Sequence, residues 1–156
     1  MVRNYGAAVV LMHLRGDPKT MQKKIVYKNL IREIVGELRN TIENCLEIGI
    51  KSDRIIIDPG IGFAKTVGHN LEILSRLQEL SRLNVPILVG SSRKSFIGKI
   101  LNKEVGDRLE GTIATVCASI LNGASIVRVH DVAEVKDAVL MTDAILNYSR
   151  WQKPKN

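Results

Sequence analysis

The chain has 156 residues, 45% hydrophobic and 25% charged, which excludes a disordered segment and is enough for one domain with its own core. It contains no uncharged apolar run of about 18 residues, and its first residues lack the apolar stretch of a secretory signal, so no membrane association is expected. The net charge is +7, but the basic residues are dispersed and only 4% of residues are aromatic, which disfavours nucleic acid and favours a small anionic substrate.

Short β-branched runs alternate along the chain with longer amphipathic segments. Each run is continuously apolar, as is typical of parallel strands covered on both faces. The predicted strands span 8–12, 54–58, 86–90 and 125–129. Leucine and isoleucine recur at three-and-four spacing between them. This spacing predicts helices over 30–46, 70–83, 109–121 and 132–148. The order predicts an α/β fold with a parallel sheet and right-handed crossovers.

Polar side chains follow all four predicted strands, where the active sites of parallel α/β folds lie. They are His13, Arg15, Asp58, Lys65, Arg93, Lys94, Arg128 and His130. An open doubly wound sheet and a (βα)₈ barrel both fit the element order. No Gly-x-Gly-x-x-Gly follows the first strand, and several strands contribute to the polar edge, which favours a barrel. Four strands close no such barrel, so residues 1–156 are expected to form a single half-barrel without its N-terminal half, with a frayed tail over 150–156.

The segment Asp-Pro-Gly-Ile-Gly-Phe-Ala-Lys, residues 58–65, follows the second predicted strand. An aspartate at the end of a buried strand is costly unless it finds donors. One carboxylate accepts two parallel N–H groups, which matches the amino-pyrimidinone edge of a pterin or a purine. The proline and glycines bend the chain and let its backbone approach a ligand. The competing interpretation is a turn with a capping aspartate.

Two further segments carry cationic side chains. Residues 90–95, Gly-Ser-Ser-Arg-Lys-Ser, follow the third strand and predict an anion or ring-carbonyl site at a helix start. Arg128 and His130 occupy alternate strand positions, so both are expected on one face, suited to a pyrophosphate or to stacking of Arg128 on a planar ring. A solvated basic loop and a satisfied core pair are the competing interpretations. Met12 would offer a ring an apolar face, whereas His13 is as readily structural.

Both cysteines, Cys45 and Cys117, lie singly in helical segments with apolar neighbours. This is the pattern of buried free thiols in a cytoplasmic protein. Neither has the companions that a metal site needs.

Together these motifs resemble the dihydropteroate synthase family. The resemblance lies in residues 11–13 with 18–22, 58–63, 92–95 and 128–132, in the order and spacing of the family. It implies a TIM (βα)₈ barrel in which the predicted strands are strands five to eight. Members of the family condense p-aminobenzoate with 6-hydroxymethyl-7,8-dihydropterin diphosphate in folate biosynthesis and release pyrophosphate, with Mg²⁺ as the cofactor.

The resemblance implies a pterin pocket built from four residues of this chain. Asp58 would bind the amino-pyrimidinone edge of the pterin. Lys94 would bind the pterin carbonyl and a ring nitrogen. Met12 and Gly90 would line the pocket.

The other substrate groups are likewise assigned by the resemblance. Arg128 would stack on the pterin face and, with His130, bind the diphosphate. Arg128, His130 and Lys94 are therefore the expected catalytic residues. Phe63, Lys94 and Ser95 would border the p-aminobenzoate site, where sulfonamides compete.

The implied reaction needs no protein nucleophile, because the arylamine attacks the pterin methylene carbon once its bond to diphosphate has broken and the cation has formed. Arg128, His130 and Mg²⁺ would stabilise the leaving diphosphate. The protein ligand of Mg²⁺ is expected in the missing N-terminal half, together with a Thr-Arg loop and further pterin contacts. The isolated chain is therefore expected to be inactive.

Three interpretations of the half-barrel stay open: a fragment, one half of a split enzyme, or a self-paired half-barrel. The expected partners are the two small-molecule substrates, a missing N-terminal half, and a second copy that binds through the C-terminal helices over 109–148. The competing functions are a non-catalytic interaction module and a pterin-binding methyltetrahydrofolate methyltransferase, which needs no diphosphate site.

Overall fold

The computed structural model describes residues 2–16 and 25–152. Strands and helices alternate there: α1 (Val2–Tyr5), β1 (Val9–Met12), α2 (Leu30–Glu47), β2 (Ile55–Asp58), α3 (Val67–Ser75), β3 (Leu88–Val89), α4 (Ser95–Leu101), α5 (Leu109–Leu121), β4 (Ile126–Val127) and α6 (Val132–Leu146). Short 3₁₀ segments lie at Ser52–Arg54, Leu77–Leu83, Val105–Asp107 and Tyr148–Arg150. The predicted α/β class is confirmed. None of the described helices is long and apolar enough to cross a membrane.

All the strand pairs are parallel, and the strands lie side by side in chain order. β1 pairs with β2, and β3 pairs with β4. A bridge between Ile57 and Ile87 joins the two pairs. In the part of the chain that the structure describes, β1 and β4 each pair on one side only. The carboxyl ends of all four strands therefore meet at one edge, as the order of the elements predicts.

The core lies between the strands and the helices on one face of the sheet. α2 begins at its cap Asn29, whose side chain accepts a hydrogen bond from the backbone of Arg32. Its buried residues recur at three-and-four spacing and are Leu30, Ile31, Ile34, Leu38 and Ile42. They join Ile55 and Ile57 in one apolar cluster. Burying each such side chain contributes about 2 kcal/mol to the free energy of unfolding, so this layer stabilises the fold.

The helix predicted over 70–83 is divided at Arg76. α3 starts earlier, because Thr66 caps it by accepting a hydrogen bond from the backbone of His69. The second part is a 3₁₀ segment whose buried residues recur every third position: Leu77, Leu80 and Leu83. A 3₁₀ helix has about three residues per turn, so this spacing puts all three on one face. Leu71, predicted on the apolar face, is 46% exposed.

Two apolar regions face outward on the C-terminal side. An open cavity of about 530 Å³ lies between β4 and α6, and its apolar lining includes Leu88, Ile126, Val127, Val135, Val139 and Leu140. Further apolar side chains of α6 are exposed, namely Val132, Met141, Ile145 and Leu146. Exposed apolar patches of this kind are typical of interaction surfaces.

Candidate functional site

The strand edge brings together predicted site residues from all four strands. The register between β1 and β2 places Met12 directly beside Asp58. Gly90 follows β3 and Arg128 follows β4, and a Cβ at Gly90 would lie 2.8 Å from Arg128 Nη2. A side chain at position 90 would therefore displace the guanidinium, so glycine is what lets Arg128 cross to Asp58.

Asp58 is a buried carboxylate with partners on both oxygens. It is 1% exposed. Its Oδ1 accepts a hydrogen bond from Gly60 N at 2.8 Å, and its Oδ2 accepts one from Arg128 Nη2 at 3.0 Å. A buried carboxylate persists only with such compensation. Oδ1 therefore caps the turn, as the competing interpretation of the sequence expected, whereas Oδ2 is paired with a side chain that is 55% exposed.

Phe63 and Lys94 form a second contact at the same edge. Lys94 Nζ lies 4.2 Å from the centroid of the Phe63 ring, the geometry of a cation–π interaction. Burial of the Lys94 ammonium, with the nearby charge of Arg128, lowers the pKa of Lys94. Lys94 caps α4 and Ser95 is the first residue of that helix, where it is exposed. Two of the three residues predicted beside p-aminobenzoate, Lys94 and Ser95, therefore lie at one helix start, and Lys94 contacts the ring of the third, Phe63.

His130 is attached to the loop after β3 through Ser92. The backbone N–H of His130 donates to Ser92 Oγ at 3.2 Å, and the same Oγ lies 2.9 Å from His130 Nδ1. Which of the two atoms donates depends on the tautomer of the ring, because a hydroxyl both donates and accepts. β4 ends at Val127, so Arg128 and His130 lie just beyond the strand rather than on it, and the predicted strand over 125–129 is too long.

Arg93 points away from this group of residues. Its backbone adopts the left-handed region, with φ 57°, which is uncommon for a residue other than glycine. Arg93 Nε donates to Asp131 Oδ2 at 3.1 Å. This ion pair raises the pKa of Arg93 and lowers that of Asp131. Arg93 therefore joins the loop after β3 to the start of α6, a contact that the sequence did not indicate.

The motifs at this edge match a known family. The model of the family described as pterin binding enzyme matches residues 1–130. The chain belongs to the pterin-binding enzyme family. The resemblance drawn from the sequence is thereby confirmed. One of the motifs that carried the resemblance, residues 18–22, lies outside the described residues. Residues 153–156 of the predicted tail lie outside them too.

The similar members of the pterin-binding family include several dihydropteroate synthases. The dihydropteroate synthase of Escherichia coli is 41% identical over 142 residues, which is 91% of this chain and 50% of that protein. The one from Synechocystis is 46% identical over 140 residues, 89% of this chain and 48% of that protein. A crystal structure of the Yersinia pestis synthase with a sulfonamide drug complex has a TM-score of 0.91 at 38% identity and covers 94% of this chain and 53% of that one. The chain spans about half the length of the relatives it matches.

The site was also tested for the magnesium ion that the resemblance implies. Among residues 2–16 and 25–152, no group of three or more His, Cys, Asp or Glu side chains is arranged to hold a metal ion. The side chain bonded to Asp58 is that of Arg128, a cationic donor, whereas Mg²⁺ requires oxygen ligands. The described residues therefore do not form a magnesium site by themselves.

A network of charged residues beneath the site was missed by the sequence interpretation. Lys65 Nζ lies 3.1 Å from His13 Nδ1, and His13 Nε2 lies 3.1 Å from Glu37 Oε2. Arg15 pairs with both Glu37 and Glu33. His13 and Lys65 were recognised only as polar residues that follow strands. Their pairing joins positions 52 apart in the sequence, and no local pattern carries that information.

Proposed function

We propose that this chain is the pterin- and diphosphate-binding half of a dihydropteroate synthase, which condenses p-aminobenzoate with 6-hydroxymethyl-7,8-dihydropterin diphosphate. The observation that carries the proposal is the buried carboxylate of Asp58 at the strand edge, with Arg128 on its Oδ2. A carboxylate in this position would accept two N–H groups of an amino-pyrimidinone, and Arg128 would be released to bind the diphosphate. The similarity to synthases from several bacteria supports the same reaction.

The roles in the pterin pocket follow from the contacts at the edge. Asp58 would bind the amino-pyrimidinone edge, and Met12, its neighbour across the strands, would pack on the ring. Gly90 has no side chain, so the space that the Arg128 guanidinium fills would admit a flat ring once Arg128 moves to the diphosphate. Lys94 would donate to the pterin carbonyl, and burial favours such a bond because it weakens competition from water.

Catalysis in this proposal is electrostatic stabilisation of a leaving group. The carbon–oxygen bond from the pterin methylene to the diphosphate breaks, the arylamine nitrogen forms the new bond to that carbon, and the amine loses a proton. Arg128 and His130 would donate to the diphosphate oxygens as negative charge develops. His130 suits this role because Ser92 holds Nδ1, which leaves Nε2 as the ring nitrogen that would donate to the diphosphate. The magnesium ion of the resemblance would need ligands from outside the described residues.

The p-aminobenzoate would bind beside Phe63, Lys94 and Ser95. The Phe63 ring offers an apolar face, and the Lys94 ammonium is within 4.2 Å of its centroid. Ser95 at the start of α4 would present a hydroxyl and a backbone N–H. The sulfonamide complex of the Yersinia pestis synthase supports extending the proposal to sulfonamide competition at this place.

The missing partner in this proposal is the other half of a TIM barrel, in which β1 to β4 would be strands five to eight. Two observations support it. β1 and β4 each have one unpaired side within the described residues. The apolar cavity beside β4 and α6 would be filled by the neighbouring βα unit. Without that half the chain would be inactive, since the site is open on two sides.

We also propose that the complete protein forms a homodimer through its C-terminal helices. α5 and α6 pack against each other. α6 still exposes Met141 (62%) and Ile145 (58%), which would be buried against a second copy. A cytoplasmic location belongs to the same proposal, and the free thiols of Cys45 and Cys117 are in keeping with it.

A pterin-binding methyltransferase is the second candidate, because it too would use Asp58 for the pterin. The contacts at the edge support the synthase instead. Arg128 and His130 lie two residues apart at the end of β4, with Lys94 nearby, and this positive group suits a diphosphate. A non-catalytic interaction module would leave these cations without a ligand.

The test is calorimetric titration of the purified chain with a non-hydrolysable analogue of the dihydropterin diphosphate. Asp58→Asn keeps the shape of the side chain but removes its charge, and we expect it to weaken binding about 100-fold, since two charge-assisted hydrogen bonds are worth about 3 kcal/mol. Asp53→Asn is the matched control, because Asp53 is exposed in the 3₁₀ segment after α2. Adding the N-terminal half of a bacterial synthase should then give pyrophosphate release that depends on p-aminobenzoate.

Competition separates the candidates. Inorganic pyrophosphate should displace the analogue if Arg128 and His130 bind the diphosphate. Binding of methyltetrahydrofolate without competition by pyrophosphate would favour the methyltransferase. Equal binding by the Asp58→Asn chain would exclude both, since both depend on this carboxylate.

A further inference from the structure

Lys65 is buried beneath the loop that carries the site. The side chain is 4% exposed, although Lys65 is the last residue of the segment that carries Asp58 and Phe63. Its Nζ donates to Phe63 O at 3.0 Å and lies 3.1 Å from His13 Nδ1. The position of a Cβ at Gly60 would be 3.4 Å from the same Nζ. The ammonium therefore occupies the inside of the turn formed by residues 58–65.

His13 accepts the second hydrogen bond of this ammonium and is itself 3% exposed. A lysine ammonium has only donors, so Nδ1 of His13 must be the acceptor and the ring proton must be on Nε2. Nε2 lies 3.1 Å from Glu37 Oε2, without the alignment of a good hydrogen bond. Burial, with the charge of Lys65, lowers the pKa of His13 to about 4, so the ring is neutral at pH 7.

The network extends to the helix layer, which makes it rigid. Glu37 lies on α2, and Arg15 pairs with it while stacking on the Tyr27 ring at 4.3 Å from the centroid. A connected path thus runs from α2 through His13 at the end of β1 to Lys65. The loop has its own hydrogen bonds, from Gly60 N to Asp58 and from Phe63 N to Gly60 O at 3.1 Å. Other bonds hold the loop to its surroundings, from His13 N to Asp58 O at 2.9 Å and from Gly62 N to Asn70 Oδ1 at 2.7 Å. Lys65 instead ties the carbonyl of Phe63 to the His13 ring.

We propose that Lys65 is a positioning residue for the site: its buried ammonium, accepted by a neutral His13, fixes the loop that presents Asp58 and Phe63 to the substrates. The effect on substrate rests on the proposed function, whereas the effect on the loop does not. Removing the ammonium leaves the Phe63 carbonyl and His13 Nδ1 without a donor. Each is then a polar group with an unmet hydrogen bond, so the loop is expected to open locally.

The test uses Lys65→Met, which keeps the length of the side chain and removes the donors, with Lys51→Met as the exposed lysine control. Amide hydrogen exchange is measured by NMR on the full chain. We expect exchange at Gly60 and Phe63 to become about tenfold faster or more in Lys65→Met, with Ala124 unchanged. Exchange that accelerates equally at all three amides would mean a general loss of stability and would overturn the proposal.

The tautomer of His13 gives a second readout. It reports the pairing of Lys65 with the ring directly, rather than the stability of the fold. The ¹⁵N shifts of the ring are measured in the unmodified chain, where the proton should be on Nε2, and in Lys65→Met, where the preference should weaken. A ring protonated on Nδ1 in the unmodified chain would contradict the pairing even if the variant fails to fold. Affinity for 6-hydroxymethylpterin should fall about tenfold in Lys65→Met. Absence of pterin binding by the unmodified chain would count against the proposed function, while exchange and tautomer still decide the role of Lys65.

Discussion

The two halves of the strand edge differ in the exposure of their polar site residues. On the β1–β2 side, His13, Asp58 and Lys65 are each less than 5% exposed and bonded to protein groups. On the β3–β4 side, Arg128 and His130 are exposed and each has a single side-chain partner. A buried charge needs its partners built in, whereas an exposed one can exchange water for a ligand. The first side therefore holds polar groups that are already paired inside the protein, whereas the second side holds groups in contact with solvent.

The largest expected effect on stability comes from a substitution on the buried β1–β2 side, at Gly60. Its φ is 70°, and a Cβ there would overlap the carbonyl oxygen of His13. Gly60→Ala should therefore destabilise the chain by about 3 kcal/mol or more, because strain and overlap add. Urea unfolding measures the change. Gly106→Ala is the control: its Cβ would meet no atom within 4 Å, and its effect should stay within about 0.5 kcal/mol.

The next effect is an acid sensitivity that arises from His13. Its pKa in the folded chain is about 4, below the ordinary 6.5, so the unfolded chain binds this proton first as the pH falls. Stability from His13 is fully present above pH 6.5 and is lost progressively down to about pH 4. The loss should be about 2–3 kcal/mol.

The measurement compares unfolding free energies at pH 7 and pH 4 for the unmodified chain and for His13→Gln, which cannot be protonated. The unmodified chain should lose about 2–3 kcal/mol more than the variant. His69→Gln, at the partly buried cap of α3, serves as the histidine control. Equal losses in the unmodified chain and in His13→Gln would mean that His13 is not a buried neutral group.

The next prediction concerns Arg128→Met, on the exposed β3–β4 side of the edge. It should reduce affinity for inorganic pyrophosphate about tenfold, the equivalent of one charge-assisted hydrogen bond of about 1.4 kcal/mol. The cost to folding should be smaller than that of Gly60→Ala, since Asp58 keeps its bond to Gly60 N. Calorimetry measures the affinity, with the exposed Arg150→Met as the control. Unchanged pyrophosphate affinity would remove Arg128 from the diphosphate site.

The smallest effect on stability is expected at the outer surface of α6. Met141→Lys should change the unfolding free energy by less than about 0.5 kcal/mol, since the side chain is 62% exposed. If α6 forms the homodimer contact, the same substitution should shift the chain towards monomer in sedimentation measurements. Ile48→Lys is the control, because Ile48 is similarly exposed (61%) at the end of α2. A dimer that persists in Met141→Lys would place the contact elsewhere.

Local patterns in the sequence predicted the order of the elements and the edge where the site lies. The apolar runs and the three-and-four spacing reflect burial, which is why strands and helices appear where expected, with α2 within one residue of its prediction. The 3₁₀ segment Leu77–Leu83 was not predicted, since its leucines fit a helix of either kind. Two strands were predicted too long, because apolar residues continue beyond the paired backbone.

The sequence by itself determined the α/β class, the family and the residues that follow each strand, because these depend on residue type and spacing along the chain. Only the tertiary structure decided which of those residues pair. Asp58 meets Arg128 across 70 positions, and Lys65 meets His13 across 52. Arg93, adjacent to Lys94 in the sequence, pairs with Asp131 across 38 positions. Such pairings depend on how the strands lie side by side, which no local pattern encodes.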